Sequence, residues 1–339
     1  MNSAAGQVLV STEDREMTEF SLSLTGLHSR NESTIQATQD WERGRIDARS
    51  LKAAFAADCD SLVALQTDLG AEYVSDGQMN TSWQDALTPL TAGLTGIEKG
   101  AMVRWYNTNT FYYTPVVKGP ISSEGGALLR AVQTKHAKSK NLRVSIPDPL
   151  TFAELAEDHY YGSFEKVLFA YADALRAEFR ALQAGGVAYV QFTSPALVAR
   201  FREKRLSEDA LVQLGEAVRS AKTGSSLRTG YHAIFGDASP YLPRLFDILP
   251  TDDIGFDFTQ TDPASLSPTR KGIIAGVADA RTTYLESLGE LRSAVDKVVE
   301  RTGSRHITLA PSSDLRYIPR VAADAKVRRL GALRKELAG

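Results

Sequence analysis

"HITLAPSSDLRYIP", His306 to Pro319, opens as a β-strand and stops abruptly at a cluster of hydroxyl and charged groups. Ile307 and Leu309 alternate through an apolar run that ends at Ala310-Pro311, and Ser312, Ser313, Asp314 and Arg316 follow. A strand that delivers polar groups from its C-terminal tip is the arrangement of a barrel enzyme's active face. Other short runs of this kind lie at 20–29, 71–77, 102–110, 142–148, 187–194, 226–236, 253–258 and 272–279. Helical patterns separate them. Phe164, Val167, Leu168, Tyr171, Leu175, Phe179 and Leu182 recur at three- and four-residue steps, and Gly185-Gly186 ends that helix. Thr151 and Glu154 have the spacing of a capping box, which predicts a helix starting at Thr151.

Strands and helices in alternation, with the strands nearly continuously apolar, predict a parallel sheet covered by helices. Polar residues gather at many strand tips rather than at one crossover point, which favours a closed barrel over an open doubly wound sheet. One run is surplus to eight. The segment 101–117, rich in aromatics, Asn and Thr, is best read as a hairpin or flap near the barrel mouth. The expected fold is therefore α/β, a (β/α)8 TIM barrel with an N-terminal helical extension and an aromatic hairpin. Residues 1–339 are expected to form a single domain, with 1–19 a flexible N-terminus.

Of 339 residues, 43% are hydrophobic and 24% charged, and the net charge is −2. Acids and bases are mixed along the chain, which argues against a nucleic-acid-binding stripe and a basic membrane face. One cysteine, Cys59, and five histidines leave neither a disulfide framework nor a CxxC motif. No apolar run approaches the roughly 18 residues of a membrane span. The start lacks a cationic stretch followed by an apolar core, so it does not read as a signal peptide. A cytoplasmic protein with a small-molecule substrate, and with no nucleic-acid or membrane partner, is expected. No GxxxxGK[ST], GxGxxG or GxSxG occurs, so phosphate loops and nucleophile elbows do not supply the chemistry.

The strand tips do. His232, Asp257, Asp76 and Asp279 are the candidate catalytic acids and bases. His28, Arg30, Gln78, Thr193, Ser194 and Ser313 at the tips, with Trp105, Asn107 and Asn109 in the hairpin, are candidate substrate contacts. His232 and Asp257 fall on adjacent strands and are candidate ligands for zinc or another divalent metal. A catalytic zinc needs about three protein ligands, and only two are in view. Plainer readings stand beside these. A Ser pair after a strand often caps a helix, a strand histidine is often a hydrogen-bonded pocket residue, and an aromatic hairpin is often packed structure. Cys59 reads as a small buried apolar residue.

Taken together and in order, five segments resemble the cobalamin-independent methionine synthase family. They are RWYNTNTFYYTPVVKGPI (104–121), GGVAYVQFTSPALV (185–198), HAIFGD (232–237) with DDIGFDF (252–258), AGVADART (275–282) and LAPSSDLRYIP (309–319). The wording is closer to the N-terminal half of the two-barrel enzyme. The resemblance implies a barrel and an S-methyltransferase moving a methyl group from a folate or corrinoid donor to a thiol such as homocysteine. It also implies a zinc held by an HxC motif, a Glu on the next strand and a Cys after the last strand. Here those positions fall on His232, Ile234, Asp257 and Ser313, so both thiolates are absent and the metal site is altered. The family's acids for the homocysteine amine are replaced by Thr193 and Ser194. Two alternatives remain open: a divergent barrel using acid/base residues without zinc, and a noncatalytic companion of a catalytic methyltransferase or methyl-donor carrier.

Overall fold

The computed structural model describes residues 18–79, 87–132, 141–199 and 206–338. Its strands are β1 (Glu19–Leu22), β2 (Leu94–Arg104), β3 (Phe111–Ser123), β4 (Arg143–Pro147) and β5 (Glu157–Asp158). They continue with β6 (Tyr189–Ser194), β7 (Arg228–Ala233), β8 (Asp253–Asp257), β9 (Gly272–Ala278) and β10 (His306–Pro311). Seven of these form one parallel sheet in the order β1-β10-β9-β8-β7-β6-β4. An eighth position is the parallel bridge between Val74 and Leu142, next to β4. The ring closes where the segments after β1 and around Val74 meet. There the His28 N–H donates to the Gly77 carbonyl (3.2 Å) and Ser75 Oγ to the Gly26 carbonyl (3.3 Å). Eight parallel positions in chain order, with helices between them, make the expected α/β barrel.

Three sequence-based expectations need correction. The run 71–77 is a strand for one residue only. Its ladder partners are replaced by a side chain: Ser75 N–H donates to Gln66 Oε1 (2.9 Å), and Gln66 Nε2 donates to the Ser75 carbonyl (2.7 Å). The helix expected from Thr151 spans Pro149–Leu155, with Asp148 as its N-cap accepting from Thr151 N–H at 2.9 Å. Proline suits the first helical position and Asp is a stronger cap than Thr, so Asp148-Pro149 wins over the box. Residues 1–17 lie outside the described residues, and Glu19, expected in the flexible start, already pairs with His306. The helical stretch near the N-terminus, Glu32–Glu42 and Ala48–Asp68, connects β1 to Val74.

The surplus aromatic run is the antiparallel hairpin β2–β3, inserted between Val74 and β4. Outside the ring, helix faces bury aromatic pairs: Phe179 stacks on Phe192 at 5.6 Å between ring centres, and Phe152 on Tyr171 at 4.0 Å. Each buried side chain of this size is worth about 1.5–3 kcal/mol, which is what holds the crossover helices to the ring. Inside, the barrel is polar. Ser21 Oγ lies 2.9 Å from Thr308 Oγ1, and Arg143, fully desolvated, donates to Ser23 Oγ and Gln191 Oε1. Burial lowers the Arg143 pKa to about 10, which leaves it a cation under the mouth. No helix among the described residues is long and apolar enough to cross a membrane.

Candidate active site

Three strand tips converge on a glycine. His232 is on β7, Asp257 ends β8, and Ser312-Ser313 follow β10. Asp257 is the cross-strand partner of Gly276 on β9. A Cβ built on Gly276 would stand 3.0 Å from His232 Nε2 and 3.1 Å from the Ser312 Cα, so both crowd the space that the glycine leaves. His232, Asp257 and Ser313 are each 0% exposed, yet Asp257 Oδ2 and Ser313 Oγ have no hydrogen-bond partner. Neither His232 ring nitrogen makes a hydrogen bond of proper geometry, although the nearby Phe256 carbonyl slightly favours the charged ring. Buried polar atoms are nearly always satisfied, so these unpaired ones single out the strand tips as the candidate site.

Electrostatics assign each group a state. Burial, with the Arg143 charge adding to it, takes the His232 pKa down to about 3, so the ring is neutral. Burial raises Asp257 to about 6, against the pull of Thr259 and Arg281. Asp257 Oδ1 accepts from Thr259 N–H (3.0 Å) and Thr259 Oγ1, which leaves Oδ2 unbonded. Asp279 accepts from Arg281 N–H (2.9 Å), and Arg281 reaches Thr259 Oγ1 at 3.5 Å, so Asp279 joins the cluster through Arg281. Ser312 is structural: its Oγ accepts from Ala280 N–H at 3.1 Å.

A roof of aromatic rings covers the mouth. Phe235, after β7, has φ of 78°, in the left-handed region that costs a non-glycine residue about 1–2 kcal/mol. Its ring lies 6.2 Å from Tyr106 of the hairpin and 5.6 Å from Tyr317. Trp105 meets Tyr106 edge-on at 5.2 Å, and the Arg316 guanidinium stands 5.9 Å from the Trp105 ring. Arg316 also donates to Thr110 Oγ1 (2.9 Å), tying the hairpin tip to the segment after β10.

The other candidates fall into separate groups. Thr193 and Trp105 border a small void with Ser145 and Asp314. Ser194 lies beside Asp148, which accepts from the Tyr231 hydroxyl at 2.8 Å. His28, Arg30, Gln78 and Asn109 line a large cavity at the barrel rim, while Asn107 is exposed. Asp76 is buried, accepts from Gln78 N–H (2.9 Å), and lies on the second ring position, across the barrel from Asp257. Cys59 is buried, and burial pushes its thiol well above the usual range. Sequence reading passed over Arg143, Phe235 and Tyr317. Arg143 had one signal, a lone cation in an otherwise apolar run.

A zinc centre of thiolate type does not fit this donor set. At the two positions where the resemblance implies thiolates the chain has Ile234, a buried hydrocarbon, and Ser313, a neutral hydroxyl that is a poor ligand for a borderline-soft metal. Among the described residues no three His, Cys, Asp or Glu side chains are grouped to hold a metal ion.

Residues 65–303 match the family described as cobalamin-independent synthase, N-terminal domain. A methionine synthase of Sulfolobus acidocaldarius is 24% identical over 318 residues, 92% of this chain and 90% of that protein. One from Pyrococcus furiosus is 23% identical over 305 residues, 87% of each. Among solved structures, a B12-independent methionine synthase from Shewanella sp., in complex with selenomethionine, superposes with a TM-score of 0.71 at 18% identity. It covers 93% of this chain and 96% of that one. A putative vitamin-B12-independent methionine synthase from Listeria monocytogenes gives 0.73 at 16% identity, covering 95% and 99%. These likenesses support the barrel, and the match over most of the length places the chain in the cobalamin-independent synthase family.

Proposed function

We propose that the protein is a methionine-synthase-type S-methyltransferase that moves a methyl group from a folate or corrinoid donor to a thiol such as homocysteine. Asp257, rather than a metal, removes the thiol proton. The observation that carries this reading is the meeting at Gly276 of His232 Nε2, the backbone of Ser312 and the strand position of Asp257, in a chain similar to methionine synthases along most of its length. A thiol attacks a methyl group only as thiolate. Asp257, raised to about 6 and with Oδ2 unbonded, is a base matched to neutral pH. The thiol S–H bond breaks and its proton goes to Oδ2. The sulfur pair forms the new S–CH3 bond as the donor–CH3 bond breaks, and the donor keeps that electron pair. A folate nitrogen then takes the proton back from Asp257, whereas with a corrinoid donor the proton passes to water. The Arg143 cation beneath the site favours the thiolate, and in this reading the unbonded Ser313 hydroxyl is a further donor for it. One barrel domain carries the activity.

The test is methionine formation from homocysteine with a methylfolate or methylcorrinoid, on protein stripped with a chelator. Turnover should survive stripping and fall by about 10²-fold or more in Asp257→Asn, the range expected of a lost general base. A strict requirement for added zinc, or full activity in Asp257→Asn, would overturn the mechanism.

A second reading draws on the family match itself, which is to the N-terminal domain, and on Ile234 and Ser313 at the thiolate positions. In it the barrel is a noncatalytic companion. No turnover alone, together with a stable complex with a separate methyltransferase, would favour that reading.

A further inference from the structure

A cavity of about 900 Å3 opens at the rim of the barrel, between the segments that follow β1, Val74 and β10. That volume suits a ligand of drug or cofactor size. None of His232, Asp257 and Ser313 lines it, so it is distinct from the centre at Gly276. Ile35 and Val321, both exposed, give its outer edge an apolar character.

The inner wall is different. His28 is 4% exposed, and its Nε2 lies 2.9 Å from Asp324 Oδ1. An ionised carboxylate only accepts, so Nε2 carries the hydrogen and Nδ1 presents a lone pair. Nδ1 has no partner. Burial, outweighing the Asp324 bond, holds the ring below its usual pKa, so it stays a neutral acceptor at physiological pH. Asp324 is in turn fixed by Arg320 Nε at 2.8 Å, and Arg320 also pairs with Asp58.

Beside this stands Arg316. One of its terminal nitrogens bonds Thr110, while Nε and the other terminal nitrogen are buried without a partner. It makes no ion pair among the described residues. Arg30 donates to the Met79 carbonyl at 2.9 Å; burial lowers its pKa to about 10, the Asp58 carboxylate behind the wall offsets part of that, and the like charge of Arg316 adds to it. The acids on this cavity, Glu32 and Glu42, are on its exposed outer side with Arg43. The wall therefore joins two neighbouring guanidinium groups, unfilled donors and an unfilled acceptor, under an apolar lip.

We propose that the rim cavity binds an amphipathic small anion, whose carboxylate or phosphate group is held by Arg316 and Arg30 while a hydroxyl or N–H group donates to His28 Nδ1. A guanidinium fork matches either oxyanion. The site is independent of the methyl-transfer reading, since its occupant is defined by charge and shape and its test is binding.

Anilinonaphthalenesulfonate, an amphipathic anion, is titrated into the full chain and followed by fluorescence, beside neutral phenylnaphthylamine. Saturable binding to one site is expected, with the neutral dye about tenfold weaker or worse, a difference of one ionic contact on the affinity scale. Arg316→Leu should erase that preference and Arg316→Lys should keep most of it, which separates charge from loss of fold. Displacement by glutarate assigns a carboxylate ligand, and displacement by inorganic phosphate a phosphate. On saturation with the displacing anion the His28 imidazole resonances should shift while those of His232 stay in place. Equal binding of the two dyes, displacement by neither anion, an unchanged preference in Arg316→Leu, or a shift confined to His232 would each overturn the proposal.

Discussion

Gly276 faces Asp257 across the β8–β9 pair, and its missing side chain is the space into which the His232 ring projects. A Cβ at that position would lie 2.6 Å from the Phe256 carbonyl oxygen as well as 3.0 Å from His232 Nε2. The first neighbour is backbone and cannot swing aside. Gly276→Ala should therefore spread the two strands, expel the ring and destabilise the fold by about 1–3 kcal/mol, the usual range for overpacking. Urea denaturation checks the stability, and methyl transfer should fall further than the lost stability accounts for. An unchanged unfolding midpoint would mean that the strands yield freely there.

The raised pKa of Asp257 links stability to pH in a defined direction. Unfolded, its carboxyl titrates near 3.9, and folded, at about 6 because of burial. Below the unfolded value both states are protonated and Asp257 contributes nothing. As pH rises from about 4 to about 6 the unfolded chain ionises first, so the fold loses stability, and above that window the full loss persists. Asp257→Asn removes it. The variant should be about 1–3 kcal/mol more stable than the parent near pH 7 and no more stable near pH 4. With Asp257 as the proposed base, activity of the parent should rise with pH through about 6 as its carboxyl loses its proton. Denaturation curves at the two pH values decide the first claim, and a pH–rate profile the second.

The barrel was legible because its strands are short apolar runs closed by polar tips. The runs at 187–194, 226–236, 253–258, 272–279 and 306–313 each contain the strand that forms. The long helix Phe164–Ala184 was equally plain, from its three- and four-residue steps and the glycines after it. What pattern could not carry was competition from elsewhere in the chain. Gln66 takes the backbone groups of Ser75, so a run that looks like a strand keeps one bridge. At the site, the order of the tips brings His232 and Asp257 to neighbouring strands, but the role of Gly276 between them depends on register. The contact of Arg316 with Thr110 spans 206 residues of sequence, and no local signal announces it. Arg143 inside the barrel broke the apolar pattern of its strand, and its bonds to Ser23 and Gln191 across the barrel interior are what that pattern could not announce.

His232 is a buried ring with neither nitrogen properly hydrogen-bonded, and that makes a counterintuitive variant informative. Replacing an unsatisfied buried polar group by an apolar one of similar size removes a desolvation cost of about 1–3 kcal/mol. His232→Leu should consequently fold with an unfolding midpoint no lower than the parent. Methyl transfer should nonetheless drop by about 10²-fold or more if the ring contacts the thiol. An unchanged rate would remove His232 from the chemistry, and a collapsed fold would show that its packing matters more than its polarity.

The loop that carries Asp279 and Arg281 to the mouth is anchored from behind by an ion pair. Lys326, 1% exposed, donates to Glu286 Oε2 at 2.8 Å and Oε1 at 3.0 Å, and to the Tyr284 carbonyl. Glu286 Oε1 in turn accepts from the Asp279 N–H at 2.8 Å, so the pair holds the loop's first residue in place. Removing one member leaves the other charge poorly solvated. Lys326→Met should therefore cost roughly 3–5 kcal/mol, while the double change Lys326→Met with Glu286→Gln, which removes both charges, should recover most of it. Because Arg281 bridges Asp279 to Thr259 beside Asp257, the single variant should also shift the lower limb of the pH–rate profile, whereas the double variant, which keeps an acceptor for the Asp279 N–H, should leave it near the parent. Chemical denaturation and the pH profile of all three proteins test the two halves separately: equal stabilities would show that the pair is neutral, and unmoved profiles would show that the loop holds its place without it.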